Sequence, residues 1–263
     1  MIDIHCHILP GLDDGPPSVD VSLEMAETAI SEGITHVVTT PHAVSAFPFR
    51  PELADARREE LQARLGDRLR LIPGCDFHLS FENLQDAHAN PTRYTIGHKN
   101  YLLVEFADFA IPPAMDQVLH ELQLAGFRPI VTHPERNPLI RSQPERLFQW
   151  LRQGCYAQVT AQSFLGKFGE RAREAAQTWL GENGVHFVAS DAHNSTSRPL
   201  RLKEAYDWVA ERSGSEVAEA LFQQNPLAAV EGRPLPYVPD LADDHGQAPG
   251  VTSVRRRKRF WFF

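Results

Sequence analysis

The chain has 263 residues, 42% hydrophobic and 23% charged, enough for one large domain or two small ones around a sizeable core. Its formal net charge of −8 argues against a general nucleic-acid binder. Three scattered cysteines, Cys6, Cys75 and Cys155, make neither a disulfide framework nor a CxxC zinc site and point to a reducing cytoplasm. No signal peptide is expected ahead of "MIDIHCH", and no apolar run approaches the roughly 18 residues that a membrane span needs.

In chain order, short β-branched or apolar runs alternate with helical patterns. The predicted strands are "MIDIH", "THVVTT", "RLRLIPG", "YLLVEF", "RPIVTH", "CYAQVTA" and "VHFVAS". The first helix lies in "SVDVSLEMAETAISEG", where Val21, Met25 and Ala29 recur at helical spacing, Ser18 can cap the start and Gly33 can end it. "PELADARREELQARLG", "PAMDQVLHELQLAG", "QPERLFQWLRQG" and "GERAREAAQTWLGENG" carry the same start and stop chemistry. Alternation of this kind implies parallel strands joined by crossover helices, in a barrel or a doubly wound sheet. From about residue 234 the Pro-, Asp- and Gly-rich "PLPYVPDLADDHGQAPGVTS" reads as a flexible linker, followed by the basic and aromatic "VRRRKRFWFF".

The histidines and carboxylates fall at the strand ends. His5 and His7 close the first strand, His42 follows the second, Asp76 the third, Glu105 ends the fourth, His133 the fifth, and Asp191 with His193 follows the last. In βα barrels the C-terminal rim is where active sites are built. Residues two apart on a strand point the same way, so His5 and His7 can grip one ion, and Asp191 and His193 repeat the spacing. Cys6 then points away and reads as packing. A lone histidine or acid at a strand end is a cap or a satisfied polar group. Six strands carrying them together call for something that compensates their burial, and a cation does so. His36, His88, His98, His120, His186 and His245 fit loop, surface or strand-start positions, and His78, two residues beyond Asp76, is ambiguous.

"DIHCHILPGLDDG", "VVTTPH", "LVEF", "THPER" and "SDAHN…RP" occur together and in order, and over residues 1 to about 232 the chain resembles the PHP (polymerase and histidinol phosphatase) superfamily. The closer likeness is to its bacterial metal-dependent protein-tyrosine phosphatases of capsule and exopolysaccharide synthesis. The resemblance implies an α/β fold, a distorted (β/α)7 TIM-like barrel over residues 1–233, with the metal site at the C-terminal ends of the strands. It implies three divalent ions. His5, His7 and Asp191 would hold the first, Asp76 would bridge it to a second held by Glu105 and His133, and Asp14, His42 and His193 would hold the third. The bridging position is glutamate in the family and the shorter Asp76 here. Asp13, beside Asp14, reads as a turn residue.

An imidazole and carboxylate set without thiolates suits Mn²⁺, Fe or Zn²⁺, and the resemblance favours Mn²⁺. Such ions would supply a bridging hydroxide for in-line attack on phosphorus. Arg136 in "HPER" and Arg198 in "STSRP" match the family's phosphate-binding arginines, and a guanidinium suits bidentate grip on phosphate. Phe47 and Phe49, after His42, are candidates to line a rim for an aromatic ring. A phosphocysteine route is excluded, because Cys-x5-Arg is absent: Leu12, Phe81 and Ala161 stand six beyond the three cysteines.

By the same resemblance the substrate is a phosphotyrosine protein, the tail of a bacterial tyrosine autokinase. The expected location is cytoplasmic, and the basic and aromatic tail reads either as a peripheral contact with an anionic inner-membrane surface or as a disordered segment without a partner. The rival readings are a small-molecule PHP phosphatase such as a histidinol-phosphate phosphatase, or a catalytically weak metal-containing binding module. An amidohydrolase would need a mid-barrel lysine at a strand end, and none stands there.

Overall fold

The structure is a computed structural model that describes residues 1–108 and 110–242. The strands are β1 (Ile2–Cys6), β2 (His36–Thr39), β3 (His42–Ala43), β4 (Arg70–Pro73), β5 (Asp76–His78), β6 (Tyr101–Glu105), β7 (Arg128–Thr132), β8 (Tyr156–Thr160) and β9 (Phe187–Ala189). All their pairings are parallel. β2 and β3 are one stave broken at Thr40–Pro41, where proline has no N–H to give the ladder. β4 and β5 are another, broken at Gly74–Cys75, and Asp76 N–H still reaches the Pro41 carbonyl at 3.1 Å. Nine segments therefore make seven staves.

Closure separates a barrel from an open sheet. Asp191 N–H donates to His5 O and His7 N–H to Ala192 O, each at 2.9 Å, so the chain after β9 pairs with the end of β1. The doubly wound alternative is thereby excluded. The order β1–β2/β3–β4/β5–β6–β7–β8–β9 also matches the predicted strands one for one.

The staves are buried on both faces, as parallel strands under crossover helices must be. An inner cluster holds Ile2, Ile4, Val38, Tyr101, Leu103 and Phe187. An outer one packs Val37, Leu102, Val104, Val131 and Val159 against helix residues such as Met25, Leu119 and Trp150. In β1 the register slips between Asp3 and Cys6. That bulge re-aims the strand, so Ile4 belongs to the inner cluster and Cys6 to the outer one. His5 and His7 are left turned to the rim.

The helices begin with α1 (Val19–Ser31), whose Ser18 side chain accepts from Val21 N–H. α2 (Pro51–Leu65), α3 (Phe81–Ala89), α4 (Met115–Leu124), α5 (Pro138–Ser142), α6 (Pro144–Arg152), α7 (Ala161–Phe164), α8 (Glu170–Gly181) and α9 (Lys203–Ser213) follow. Residues 234–242, read from sequence as part of a flexible linker, lie along the barrel instead. Tyr237 and Leu241 pack on the outer cluster, and Asn225 exchanges hydrogen bonds with Tyr237 at 2.8 and 3.1 Å. The remainder of that segment and the basic-aromatic tail lie outside the described residues. Among the described residues no helix is long and apolar enough to cross a membrane.

Candidate metal centre

The nine predicted side chains come together at the C-terminal rim. His5 and His7 stand with Nε2 atoms 3.3 Å apart, and each approaches Asp191 Oδ1, at 3.5 and 3.4 Å. His193 Nε2 and His42 Nε2 lie 3.4 and 3.5 Å from Asp14 Oδ1. His133 Nε2 lies 3.5 Å from Glu105 Oε1. Asp76 Oδ2 sits between these groups, 3.5 Å from His5 Nε2 and 3.1 Å from His42 Nδ1. The shorter aspartate therefore still spans the middle of the cluster.

Three sets of candidate ligand atoms close within 4.8 Å: His7, Asp14, His42 and His193; His5, His7 and Asp76; His42, Asp76 and Glu105. The grouping differs from the expected one: His7 and His42 face two sets each, His42 stands with Asp76 and Glu105 where His133 was expected, and Asp191 and His133 fall in none of the three sets. The ring of His7 lies 3.9 Å from that of His193 and 4.3 Å from that of His42, so it stands between the first and third groups. Asp76 tests whether cations fit. It is fully buried, and among the described residues neither of its oxygens receives a hydrogen bond. A buried carboxylate with only imidazoles beside it needs positive charge from them or from a cation, and a cation at the cluster supplies it. The donor set, oxygen and imidazole without thiolate, suits Mn²⁺, Fe or Zn²⁺.

Protonation follows from the same crowding. Burial alone would lower the His5 imidazolium, but Asp76 and Asp191 outweigh it and push it up to about 9. Burial works likewise against His42, whose pKa the Asp14, Asp76 and Glu105 carboxylates raise to about 11. Burial and the neighbouring Asp76 raise Glu105. Burial and then the Arg136 charge pull His133 down to about 3. The carboxylates thus demand positive charge, and protons supply it where divalent ions would.

The backbone is bent to aim two of these groups. Asp191 and His133 have φ of 50° and 33°, a region that costs a non-glycine residue energy and that clusters at functional sites. Imidazole orientation is fixed from behind. His5 Nδ1 meets Gln158 Oε1 at 2.9 Å, His7 Nδ1 meets Asp13 Oδ2 at 2.8 Å, and His193 Nδ1 meets the Asp191 carbonyl at 3.1 Å. Each leaves Nε2 free to ligate.

Asp13 does more than the turn assigned to it from sequence. Its Oδ1 accepts from Gly15 N–H at 3.0 Å, while Oδ2 takes both His7 and the His42 N–H, the latter at 3.1 Å. Gly15 permits this because a Cβ there would clash with the His7 carbonyl oxygen. Gln158 was also missed, although a polar residue amid the buried "YAQVT" was a usable signal. His78, left ambiguous, has Nδ1 3.9 Å from Glu105 Oε2 at the edge of the cluster.

The two predicted arginines both reach Asp191. Arg136 Nη1 and Arg198 Nη2 converge on its Oδ2, the latter at 2.5 Å. Phe47 and Phe49 line a cavity of about 200 Å³ that also touches His42. The Phe47 ring stacks 6.3 Å from that of His42, whereas Phe49 leans inward on Tyr94 at 5.2 Å. Cys6, Cys75 and Cys155 are buried and unpaired, so none is placed for nucleophilic work.

The profile of the family described as "Capsular polysaccharide synthesis, CpsB/CapC" matches residues 1–231. The chain belongs to the CpsB/CapC family. Its relatives include the tyrosine-protein phosphatase YwqE of Bacillus subtilis, 33% identical over the whole of both chains. The putative tyrosine-protein phosphatase CapC of Staphylococcus aureus is 33% identical over 91% of this chain and 95% of its own. Among solved structures, one from the work on YwqE and on CpsB of Streptococcus pneumoniae, described as unique metal-dependent tyrosine phosphatases, superposes with a TM-score of 0.84. It is 33% identical and covers 89% of this chain and 96% of that one. CpsB/CapC membership thus spans the barrel and every residue of the rim cluster.

Proposed function

We propose that this chain hydrolyses protein phosphotyrosine with three divalent ions, Mn²⁺ being the expected one, and that its substrate is the tail of a tyrosine autokinase in capsule or exopolysaccharide synthesis. Membership of the CpsB/CapC family sets the class as a metal-dependent tyrosine-protein phosphatase of capsule synthesis. The observation that carries the finer reading is the division of Asp191. One oxygen faces His5 and His7, the other takes Arg136 and Arg198, so the arginines stand directly beside the candidate metal ligands. A phosphoryl group bound there would lie between the candidate ligand residues and the guanidinium N–H groups.

Ions held by the rim histidines and carboxylates would supply Lewis acidity and a nucleophilic water near neutral pH. The chain's own residues do the remainder. Arg136 and Arg198 grip the phosphoryl oxygens as planar forks and stabilise charge that grows during transfer. Asp13 and Gln158 hold His7 and His5 so that Nε2 points to the site. Phe47 and Phe49, beside His42, form an apolar wall against which the tyrosine ring rests. We place the enzyme in the cytoplasm, with the tail beyond residue 242 making peripheral contact with the inner membrane. Liposome co-sedimentation of the full chain against a truncation after Ala242 tests that contact. A panel of phosphotyrosine peptide, phosphoserine peptide and histidinol phosphate tests the substrate. Preference for the first supports the proposal, and faster turnover of histidinol phosphate overturns it.

A further inference from the structure

Phe168 is half-buried, yet it belongs to neither apolar cluster of the fold. Its ring meets two guanidinium groups instead. Arg136 Cζ lies 4.3 Å from the ring centroid and Arg198 Cζ 5.9 Å, both within cation–π range. The turn that carries it is held at both ends. Gly166 and Gly169 flank it with φ of 78° and 87°, conformations that favour glycine, and Lys167 N–H is tied to the Gln162 carbonyl at 3.1 Å. The same turn leaves α7, where Ser163 Oγ donates to Glu135 Oε1 at 2.6 Å. Glu135 immediately precedes Arg136, so ring and arginine hang from one buried tether.

Two like charges crowd around a single carboxylate oxygen here. Asp191 cannot serve both fully, because its other oxygen faces the histidines that would hold cations. A second carboxylate would steady the arginines, but it would occupy their N–H groups and repel a phosphate dianion. A ring face attracts both guanidiniums without using a donor. Arg198 Nε is in fact buried without an acceptor among the described residues.

We propose that Phe168 is a positioning residue for the phosphate-gripping arginines, holding Arg136 and Arg198 together while leaving their N–H groups for the phosphoryl oxygens. This rests on the reading that those arginines bind phosphate. The test uses the metal-loaded full chain with Phe168→Ala, Phe168→Leu and Phe168→Trp, and measures kcat/KM for a phosphotyrosine peptide, inhibition by inorganic phosphate and bound metal. Ala and Leu are expected to lower kcat/KM and weaken phosphate inhibition by about 5- to 30-fold together, with metal content unchanged, while Trp stays within about twofold. In an Arg136→Ala background the Leu substitution is expected to lose most of its effect, which simple packing damage would not do. Leu matching wild type, or Trp falling as far as Leu, overturns the inference. If Arg136→Ala itself changes neither kcat/KM nor phosphate inhibition, the phosphate-site reading fails first. If Arg136→Ala is slow and Phe168→Leu is not, this inference alone fails.

Discussion

Removing the Asp13 carboxylate should loosen the metal centre without touching a ligand. Its Oδ2 accepts from His7 Nδ1 at 2.8 Å and from the His42 N–H at 3.1 Å, so one buried oxygen steers two ligand residues that belong to different strands. A hydrogen bond to a charged group is worth about 1.5–3 kcal/mol, or about 10- to 150-fold in an equilibrium constant. Residues that orient ligating histidines independently show losses of about 10- to 100-fold in metal affinity. Asp13→Ala is therefore expected to weaken the tightest ion by about 10- to 100-fold. Asp13→Asn keeps one acceptor oxygen and should fall nearer the lower end. Competition with a chelator of known affinity reads the change directly, and circular dichroism confirms an intact barrel. A change below about threefold in Asp13→Ala would refute the claim that this carboxylate fixes His7 for metal binding.

Arg136→Ala should lower kcat/KM for a phosphotyrosine peptide by about 10- to 150-fold through loss of charge-assisted bonds to phosphate, with bound metal unchanged; equal rates would count against the phosphate grip. In metal-free protein His5, raised from 6.5 to about 9, contributes stability that is present below about pH 6.5 and lost as pH rises towards 9. Glu105, raised from 4.5 to about 8 by burial and Asp76, acts in the same direction from about pH 4.5 and completes its loss near pH 8. Calorimetry with excess chelator should therefore show Tm falling between pH 6.5 and 9, and a flat or rising Tm contradicts the charge balance described. Asp76→Glu adds a methylene at a fully buried position, so the fold should lose about 1–3 kcal/mol in denaturant titration, against no change if the pocket has slack. Alkylating reagents should leave turnover within about twofold, because Cys6, Cys75 and Cys155 are buried and burial raises every thiol pKa; thiol-sensitive loss would revive a cysteine role.

The strands were legible because a barrel stave buried on both faces must be short, apolar and β-branched, as "YLLVE" and "RPIVT" are. What sequence did not show was that two staves break and continue, at Pro41 and at Gly74, since a two-residue strand such as His42–Ala43 carries no periodic signal of its own. Helices α3 and α9 were not foreseen either. Their apolar faces are sparse, with only Ala87 buried in the first and Ala205 and Val209 in the second.

The ligand candidates were legible for a related reason. A histidine or acid at the end of an apolar run stands out against its neighbours, and His5, Glu105, His133 and Asp191 all do. The residues behind them do not. Asp13 reaches His7 through a loop that folds back at Gly15, and Phe168 reaches Arg136 from a turn 32 positions along the chain. Contacts of that kind depend on three-dimensional closure and leave no spacing in the sequence. The sharing of His7 and His42 between ligand sets is equally geometric, because strand order gives neighbours but not the angle of a ring.

The rim cluster is expected to hold divalent ions that support phosphotyrosine hydrolysis. The most direct measurement of that role is the rate of phosphotyrosine peptide hydrolysis as Mn²⁺ is added back to chelator-stripped protein, with bound metal counted at each step, in wild type and in His5→Ala. Stripped protein is expected to show no turnover, wild type to recover with saturation as ions bind, and His5→Ala to fail to recover. Turnover that survives stripping, or that His5→Ala restores to the wild-type rate, would contradict that role.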